Sequence, residues 1–150
     1  METGESICRK GVDHMAKYFA YGSCTNVESF ANTLKDAGRQ FEFSVLGVGK
    51  LEGFRLAFTR KKCDGTGALD IIESENDYVL GVVYQVPDEA VGCIDRREGA
   101  PRCYRRVNDI KVQLGDEKIS VITYMVVDKH WNEVCPSDEY YRTVYEGMKS

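Results

Sequence analysis

Residues 18–23 (Tyr-Phe-Ala-Tyr-Gly-Ser) constrain the fold more than any other part of the chain. The first four are aromatic or small and apolar at consecutive positions, so they predict a short strand that is buried on both faces. Gly22 and Ser23 end this strand. Thr25 and Glu28 have the spacing of a capping box, which predicts a helix start directly after the turn. Such a turn directs several N–H groups into one concavity and suits a small anion, although an ordinary strand–helix connection has the same pattern.

Glu98 is the second informative residue. A cap and one-sided apolar residues at positions 88–94 predict a short helix, and Gly99 and Pro101 are stop signals, so Glu98 falls at the helix C-terminus. The backbone partial charge there is negative, which is unfavourable for a carboxylate without another role. A role in chemistry and a salt bridge to a nearby arginine both remain open. The candidate arginines are Arg96, Arg97, Arg102, Arg105 and Arg106.

Composition limits the class of protein. A chain of 150 residues with 43% hydrophobic and 29% charged residues is ordinary for one soluble globular domain. A net charge of −4 argues against nucleic acid as a partner. No apolar run approaches the about 20 residues that span a bilayer, and the first residues do not form a secretory signal. We therefore expect a cytoplasmic protein with no membrane partner, a flexible N-terminal extension over residues 1–16 and a single domain over 17–150.

The cysteine pattern indicates neither a metal site nor a disulfide framework. The six cysteines form no Cys-x-x-Cys pair, and none lies beside His14 or His130. Without a secretory signal, six reduced thiols are the expectation. The cysteines are Cys8, Cys24, Cys63, Cys93, Cys103 and Cys135.

The rest of the chain reads as mainly β. A helix is predicted over residues 27–37 and another from Ser137 to about Met148. Turn signals occur at residues 52–53, 64–65, 75–77 and 115–116. The predicted strands cover residues 41–47, 56–59, 68–73, 78–86, 107–114 and 120–127. Many strands with few helices fit a closed or half-closed barrel, but the pattern by itself does not exclude an open α+β sheet.

Three motifs together resemble the gamma-glutamylcyclotransferase family. They are residues 18–23, the Glu98-Gly99 pair with Tyr104 after it, and Pro136-Ser137 followed by Tyr140. The resemblance covers nearly the whole chain, about residues 17–147. It implies an α+β fold in which a small mixed β-barrel is flanked by helices and has a cavity at one end. Cys24 departs from the family, which usually carries Asn at that position.

The resemblance also implies an activity, that of an acyltransferase or lyase of glutathione metabolism. In the family, the α-amine of a γ-glutamyl compound attacks its own γ-carbonyl, closes 5-oxoproline and expels an amine or amino acid. A tethered nucleophile reaches effective molarities of about 10⁵ M or more, so no cofactor is required. One carboxylate can take the proton from the attacking nitrogen and give it to the leaving one. Glu98 matches that catalytic residue.

The implied binding residues surround the glutamyl group of a small-molecule substrate. The N–H groups of the turn at Tyr21, Gly22 and Ser23 would hold the α-carboxylate, since Gly22 allows close approach of the backbone. Tyr18, Phe19 and Ala20 complete the matching stretch, with the Phe19 and Ala20 side chains expected in the core. Three tyrosines match residues around the family's cavity, and core packing is their simpler explanation. These are Tyr104, Tyr124 and Tyr140. A monomer and a homodimer both stay open.

Two other functions compete with this one. Cys24, after a Gly-Ser turn and near a helix start, could be the nucleophile of a thiol amidase, but no histidine base is placed beside it. A non-catalytic module that binds a γ-glutamyl or amino-acid metabolite is the other alternative. Glu98 argues against this module, because a second negative charge does not help a binder of an acidic ligand.

Overall fold

The computed structural model describes residues 15–36, 38–61, 67–127, 129 and 142–143. Five of its strands close into a barrel in the order β1-β5-β4-β6-β7, and two short strands form a separate hairpin. The elements, in chain order, are β1 (Met15–Ala20), a 3₁₀ turn (Ser23–Thr25), α1 (Val27–Thr33), β2 (Lys35–Asp36), β3 (Arg39–Gln40), β4 (Ser44–Lys61), β5 (Gly67–Pro87), a 3₁₀ turn (Asp88–Ala90), α2 (Val91–Glu98), β6 (Tyr104–Leu114) and β7 (Glu117–Val126).

One parallel contact closes the barrel. Strand β1 runs antiparallel to β5, with Ala20 opposite Val82, and parallel to β7, where Tyr18 pairs with Ile122. The other barrel pairs are antiparallel. The predicted α+β fold with a small mixed β-barrel is therefore confirmed. Closure also means that β1, the doubly buried strand of the sequence, has a neighbour on each side.

The hairpin β4–β5 is longer than the sequence pattern predicted. The turns expected at residues 52–53 and 75–77 are wrong, because both positions lie inside continuous strands. Gly53 has φ 86° and Asn76 has φ 70°, and the pairing shifts there from Glu52↔Tyr78 to Phe54↔Glu73. Residues that accept positive φ serve β-bulges as well as turns, and bulges bend long strands. The turn at Gly115 is confirmed.

Helix α1 begins at Val27, as predicted, but Thr25 does not cap it. Thr25 lies in the 3₁₀ turn, where its hydroxyl donates to the Gly22 carbonyl at 2.8 Å and is not available to cap the helix. Asn26 is the cap instead, and its side chain accepts from the Ser29 amide at 3.1 Å. Glu28 is exposed in the first turn. The helix ends at Thr33, four residues before the predicted end.

Two buried clusters share strand β1. Because side chains alternate along a strand, Tyr18 and Ala20 enter one cluster, while Phe19 and Tyr21 enter the other. The aromatic cluster joins the barrel to both helices: Tyr18, Ala20, Cys24, Phe30, Leu34, Phe41, Tyr84, Val86, Ala90, Val91, Cys93, Ile94, Tyr104, Tyr124 and Val126. The aliphatic cluster comes from the strands and Tyr21: Phe19, Tyr21, Leu51, Leu69, Ile71, Val79, Val83, Val112 and Val121.

Some sequence predictions concern residues that lie wholly or largely outside the described part of the chain. Of the last predicted helix, only residues 142–143 are described, and they are helical. The predicted turn at 64–65 is not described. Among the helices that are, none has the length and apolar character that crossing a membrane requires.

Candidate active site

A small cavity lies where the end of β1 meets the end of α2 and strands β6 and β7. Its volume is about 30 Å³, more than the about 10–15 Å³ that one water molecule needs, so its depth has room for a small polar group. A larger ligand must extend outward from it. The described lining residues are Tyr18, Tyr21, Gly22, Ser23, Cys24, Leu69, Glu98, Tyr104 and Tyr124.

Helix α2 carries Glu98 to this cavity. The helix buries one face, including Ile94, and ends where Gly99 takes the left-handed conformation with φ 69° and ψ 33°. The predicted helix end and its glycine stop are confirmed. The predicted Asp88 cap is wrong, because no side chain caps the 3₁₀ turn at Asp88–Ala90 or the start of α2. A Cβ on Gly99 would lie 3.2 Å from the Cys103 sulfur. Glycine at this position therefore suits both the left-handed conformation and the close packing.

The carboxyl group of Glu98 is desolvated and forms no ion pair with any described residue. Loss of hydration raises its pKa from 4.5 to about 7, and the positive charges of Arg97 and Arg60 oppose the shift without cancelling it. Among the described residues, no basic group lies within salt-bridge distance of this carboxyl group. The salt-bridge role that the sequence left open is therefore absent there, and Glu98 can hold or release a proton near neutral pH.

The turn after β1 offers backbone donors to the same cavity. Within the described part of the chain, the amides of Gly22, Ser23 and Cys24 have no protein acceptor. Gly22 precedes the 3₁₀ turn with φ −108° and ψ −136°, outside the helical and extended regions. The Tyr21 hydroxyl donates to the Tyr124 carbonyl at 2.6 Å and anchors the turn to β7. Three adjacent N–H groups without acceptors favour a negatively charged oxygen at this wall.

Two tyrosine hydroxyls at the cavity are already committed as donors. The Tyr104 hydroxyl donates to the Leu69 carbonyl at 2.7 Å. The Tyr124 hydroxyl donates to Asp95 Oδ1 at 2.5 Å, and Asp95 Oδ2 pairs with Arg106 at 3.2 Å. Since the Tyr124 proton points to Asp95, its oxygen can offer only lone pairs to the cavity. This wall therefore favours a hydrogen-bond donor as ligand.

Tyr18 and Cys24 are buried, weakly polar members of the lining. Burial raises the pKa of the Cys24 thiol to about 11, and the nearby Glu98 charge adds to this, although Arg97 lowers it. Burial also raises the pKa of Tyr18. The Tyr18 ring packs edge-on against Tyr124, with centroids 5.8 Å apart. Cys24 is a thiol near neutral pH and is therefore a poor nucleophile.

The structure brings most of the predicted site residues together. Seven of them line the cavity: Tyr18, Tyr21, Gly22, Ser23, Glu98, Tyr104 and Tyr124. The side chains of Phe19 and Ala20 lie instead in the two core clusters, as the sequence led us to expect. Tyr140 lies outside the described residues.

Three further residues act on the site and were not singled out for it from the sequence: Leu69, Arg60 and Asp95. Arg97, which the sequence offered as a salt-bridge partner of Glu98, donates to Ser23 instead. Asp95 lies one helical turn before Glu98, a spacing that places both on one face and could have signalled it. Leu69 and Arg60 come from distant strands and have no local signal. Among the described residues, no group of three or more His, Cys, Asp or Glu side chains could hold a metal ion.

The chain is similar in sequence to proteins of one known family. The family described as "Gamma-glutamyl cyclotransferase, AIG2-like" matches residues 18–143. The curated protein "Putative gamma-glutamylcyclotransferase YkqA" of Bacillus subtilis (strain 168) is 30% identical over 134 residues, which are 88% of this chain and 46% of YkqA. The chain thus spans about half the length of this curated relative.

Solved structures with the same fold carry related names. A structure named "Gamma-glutamyl cyclotransferase" has a TM-score of 0.79 at 23% identity and covers 90% of this chain and 79% of that chain. The crystal structure of YkqA from Bacillus subtilis has a TM-score of 0.77 at 24% identity and covers 97% of this chain and 51% of that chain. At these identities, the structures show the fold alone.

Proposed function

The chain belongs to the gamma-glutamyl cyclotransferase, AIG2-like, family, and from this premise we propose that it converts γ-glutamyl amines or γ-glutamyl amino acids to 5-oxoproline. In the proposed reaction, the substrate's α-nitrogen forms a bond to its γ-carbonyl carbon, and the bond from that carbon to the leaving nitrogen breaks. No water is consumed, so the products are the lactam and a free amine or amino acid.

Glu98 is the proposed catalytic residue. The α-ammonium must lose a proton before its nitrogen can attack, and the leaving nitrogen must gain one before it departs. A carboxyl group with a pKa of about 7 suits both transfers near neutral pH, because it accepts and returns a proton with little cost either way. The observation that carries the proposal is this desolvated carboxyl group, which lies in a cavity and pairs with no basic group among the described residues.

The glutamyl head would be held from two sides. Its α-carboxylate would accept from the amides of the turn at Gly22 and Ser23, which have no protein acceptor among the described residues. Its α-ammonium would donate to Tyr124, whose oxygen presents lone pairs because its proton is engaged by Asp95. These contacts would place the α-nitrogen near Glu98, and they fold the chain back toward the lactam geometry.

The two competing functions receive less support. A thiol amidase needs a thiolate, and the Cys24 pKa of about 11 keeps the sulfur protonated near neutral pH. A non-catalytic metabolite binder would have no use for a desolvated Glu98 beside an anionic ligand. We therefore assign Cys24 to packing, and Glu98 to proton transfer.

The deciding experiment measures 5-oxoproline released from a panel of γ-glutamyl compounds by the purified protein. Each compound is paired with its N-acetyl analogue, which lacks the nucleophilic amine and should release nothing. Cys24→Ala should retain most of the activity. Release of free amine from the N-acetyl compounds would instead mean hydrolysis by water, and a covalent glutamyl adduct on Cys24 would support the thiol mechanism; either result would contradict the proposal.

A further inference from the structure

Arg97 lies between the cavity and a second depression on the protein surface. Its guanidinium donates to Ser23 Oγ, on the cavity wall, and to Thr33 Oγ1 of α1 at 3.0 Å. The same residue lines a groove of about 310 Å³ between α1 and α2. Its charge reaches the cavity, because it lowers the pKa values of both Glu98 and Cys24.

The Arg97 charge is not neutralised by a protein carboxylate in the described part of the chain. Both hydrogen-bond partners of the guanidinium there are neutral hydroxyls, and this residue forms no ion pair with the described residues. Other arginines differ: Arg106 pairs with Asp95 at 3.2 Å, and Arg39 pairs with Glu89 at 2.8 Å. The two hydroxyls use only two of five guanidinium N–H donors and fix its plane, so donors remain for an anion.

The groove itself favours a negatively charged ligand. Its described lining contains two arginines and three uncharged side chains, and no carboxylate. These residues are Asn32, Thr33, Cys93, Arg96 and Arg97. Ser23 belongs to the cavity wall and contacts Arg97 of the groove, so the two depressions adjoin at this contact.

We propose that the groove receives the leaving half of the substrate and that Arg97 binds a carboxylate on it. This inference rests on the function proposed above and narrows its substrate class to γ-glutamyl amino acids and γ-glutamyl peptides, in preference to γ-glutamyl amines. In the proposed pose the glutamyl carboxylate takes the turn amides, and none of the described residues that line the cavity is a cation, so a carboxylate on the leaving half finds no positive charge there. The groove provides one, and Arg97 is a specificity-determining residue.

The test compares two substrates that differ only in the leaving carboxylate, γ-glutamylalanine and γ-glutamylethylamine. We expect wild type to turn over γ-glutamylalanine with the higher kcat/KM. Arg97→Gln should lower that value by about 10- to 100-fold, the range for a hydrogen bond to a charged group, and leave γ-glutamylethylamine little changed. Arg97→Lys should recover part of the preference. Arg105→Gln is the matched control, since it removes one exposed positive charge from β6.

The ratio between the two substrates separates specificity from other effects. Loss of Arg97 also changes the surroundings of Glu98. Any change in kcat/KM that results from this is shared by both substrates and cancels in their ratio. An equal fall for both substrates in Arg97→Gln, or a wild-type preference for γ-glutamylethylamine, would overturn the inference. If wild type releases 5-oxoproline from neither compound, nor from any other γ-glutamyl compound, it is the proposed function itself that fails.

Discussion

The aromatic and aliphatic clusters share strand β1 but use it differently. On the aliphatic side, Phe19 packs with residues such as Ile71 and Val83, and all three are fully buried. On the aromatic side, Tyr18 packs with Tyr124, and both reach the cavity. Buried tyrosines need partners for their hydroxyls, so this cluster carries polar groups that an aliphatic core avoids.

The difference teaches which residues the barrel needs for stability and which for the site. An aliphatic side chain contributes through the surface it removes from water and the cavity it fills. A tyrosine at the cavity contributes also through the direction of its hydroxyl proton, as the Tyr124–Asp95 contact shows. Changes at members of the aliphatic cluster that do not reach the cavity should therefore alter unfolding more than turnover, and changes at the cavity should do the opposite.

The largest difference between the effect on turnover and the effect on stability is expected for Glu98→Gln. The amide keeps the shape of the side chain but cannot accept a proton from the substrate ammonium, so turnover should fall at least about 100-fold. The folded structure should persist, as judged by circular dichroism and thermal melting. Glu28→Gln, which removes one exposed negative charge from α1, should leave turnover unchanged. Near-normal turnover in folded Glu98→Gln would remove Glu98 from the mechanism.

The converse change is Ile71→Ala in the aliphatic cluster. Ile71 is fully buried, so truncation loses its transfer free energy and leaves a void, at a cost of about 2–5 kcal/mol in the free energy of unfolding. Activity per folded molecule should change little. Leu56→Ala on β4, where the side chain is 36% exposed, should cost within about 0.5 kcal/mol. Urea titrations measure both. Comparable losses in the two variants would contradict the division between core and surface.

The pH dependence of stability should also report the raised pKa of Glu98. Its folded pKa of about 7 exceeds its ordinary value of 4.5, so folding favours the protonated form. The stabilisation is present below pH 4.5, and it is lost as pH rises to about 7, by at most roughly 3 kcal/mol. Glu98→Gln cannot ionise. Its free energy of unfolding should therefore rise relative to wild type between pH 4.5 and 7, and then stay level. A constant difference across this window would mean that Glu98 is not desolvated.

A smaller effect should distinguish two tyrosines of the aromatic cluster. The Tyr124 hydroxyl donates a part-buried hydrogen bond to Asp95, and the Tyr84 hydroxyl donates a buried one to the Cys24 carbonyl at 2.6 Å. Of the two tyrosines, only Tyr124 lines the cavity. Both Tyr→Phe variants should lose about 1 kcal/mol of stability or somewhat more. Only Tyr124→Phe should raise KM, by about 10- to 100-fold, the range for a hydrogen bond to a charged group. Equal KM values in the two variants would remove Tyr124 from substrate binding.

The smallest effect concerns the helix that carries Glu98. Gly92 in α2 is exposed, and an added Cβ would have no neighbour within 4 Å, so Gly92→Ala should stabilise by about 0.5–1 kcal/mol. Turnover should not change. Gly99→Ala should instead destabilise by about 1–2 kcal/mol, because this position has φ 69°. Melting temperatures should rise for Gly92→Ala and fall for Gly99→Ala. A stabilised Gly99→Ala variant would contradict the role of this glycine at the helix end.

Much of the site was accessible from the sequence because its signals are local. The doubly apolar strand, the Gly-Ser turn and the helix that ends at Glu98-Gly99 each depend on residues close together in the chain. The errors occurred where one residue type serves two structures. Gly53 and Asn76 were read as turns and are bulges, and Thr25 was read as a cap and belongs to a 3₁₀ turn. A local pattern does not distinguish these cases, because the partner strand decides between them.

The sequence by itself predicted that a buried strand ends in a Gly-Ser turn and that Glu98 stands at a helix end. Only the tertiary structure decided the charge state of that glutamate. Its pKa depends on desolvation by residues from other strands and on its distance from Arg97 and Arg60. The orientation of the Tyr124 hydroxyl likewise depends on Asp95, 29 residues away in the chain. Hydration and electrostatic distance are properties of the folded molecule, and residues brought together from distant positions set them.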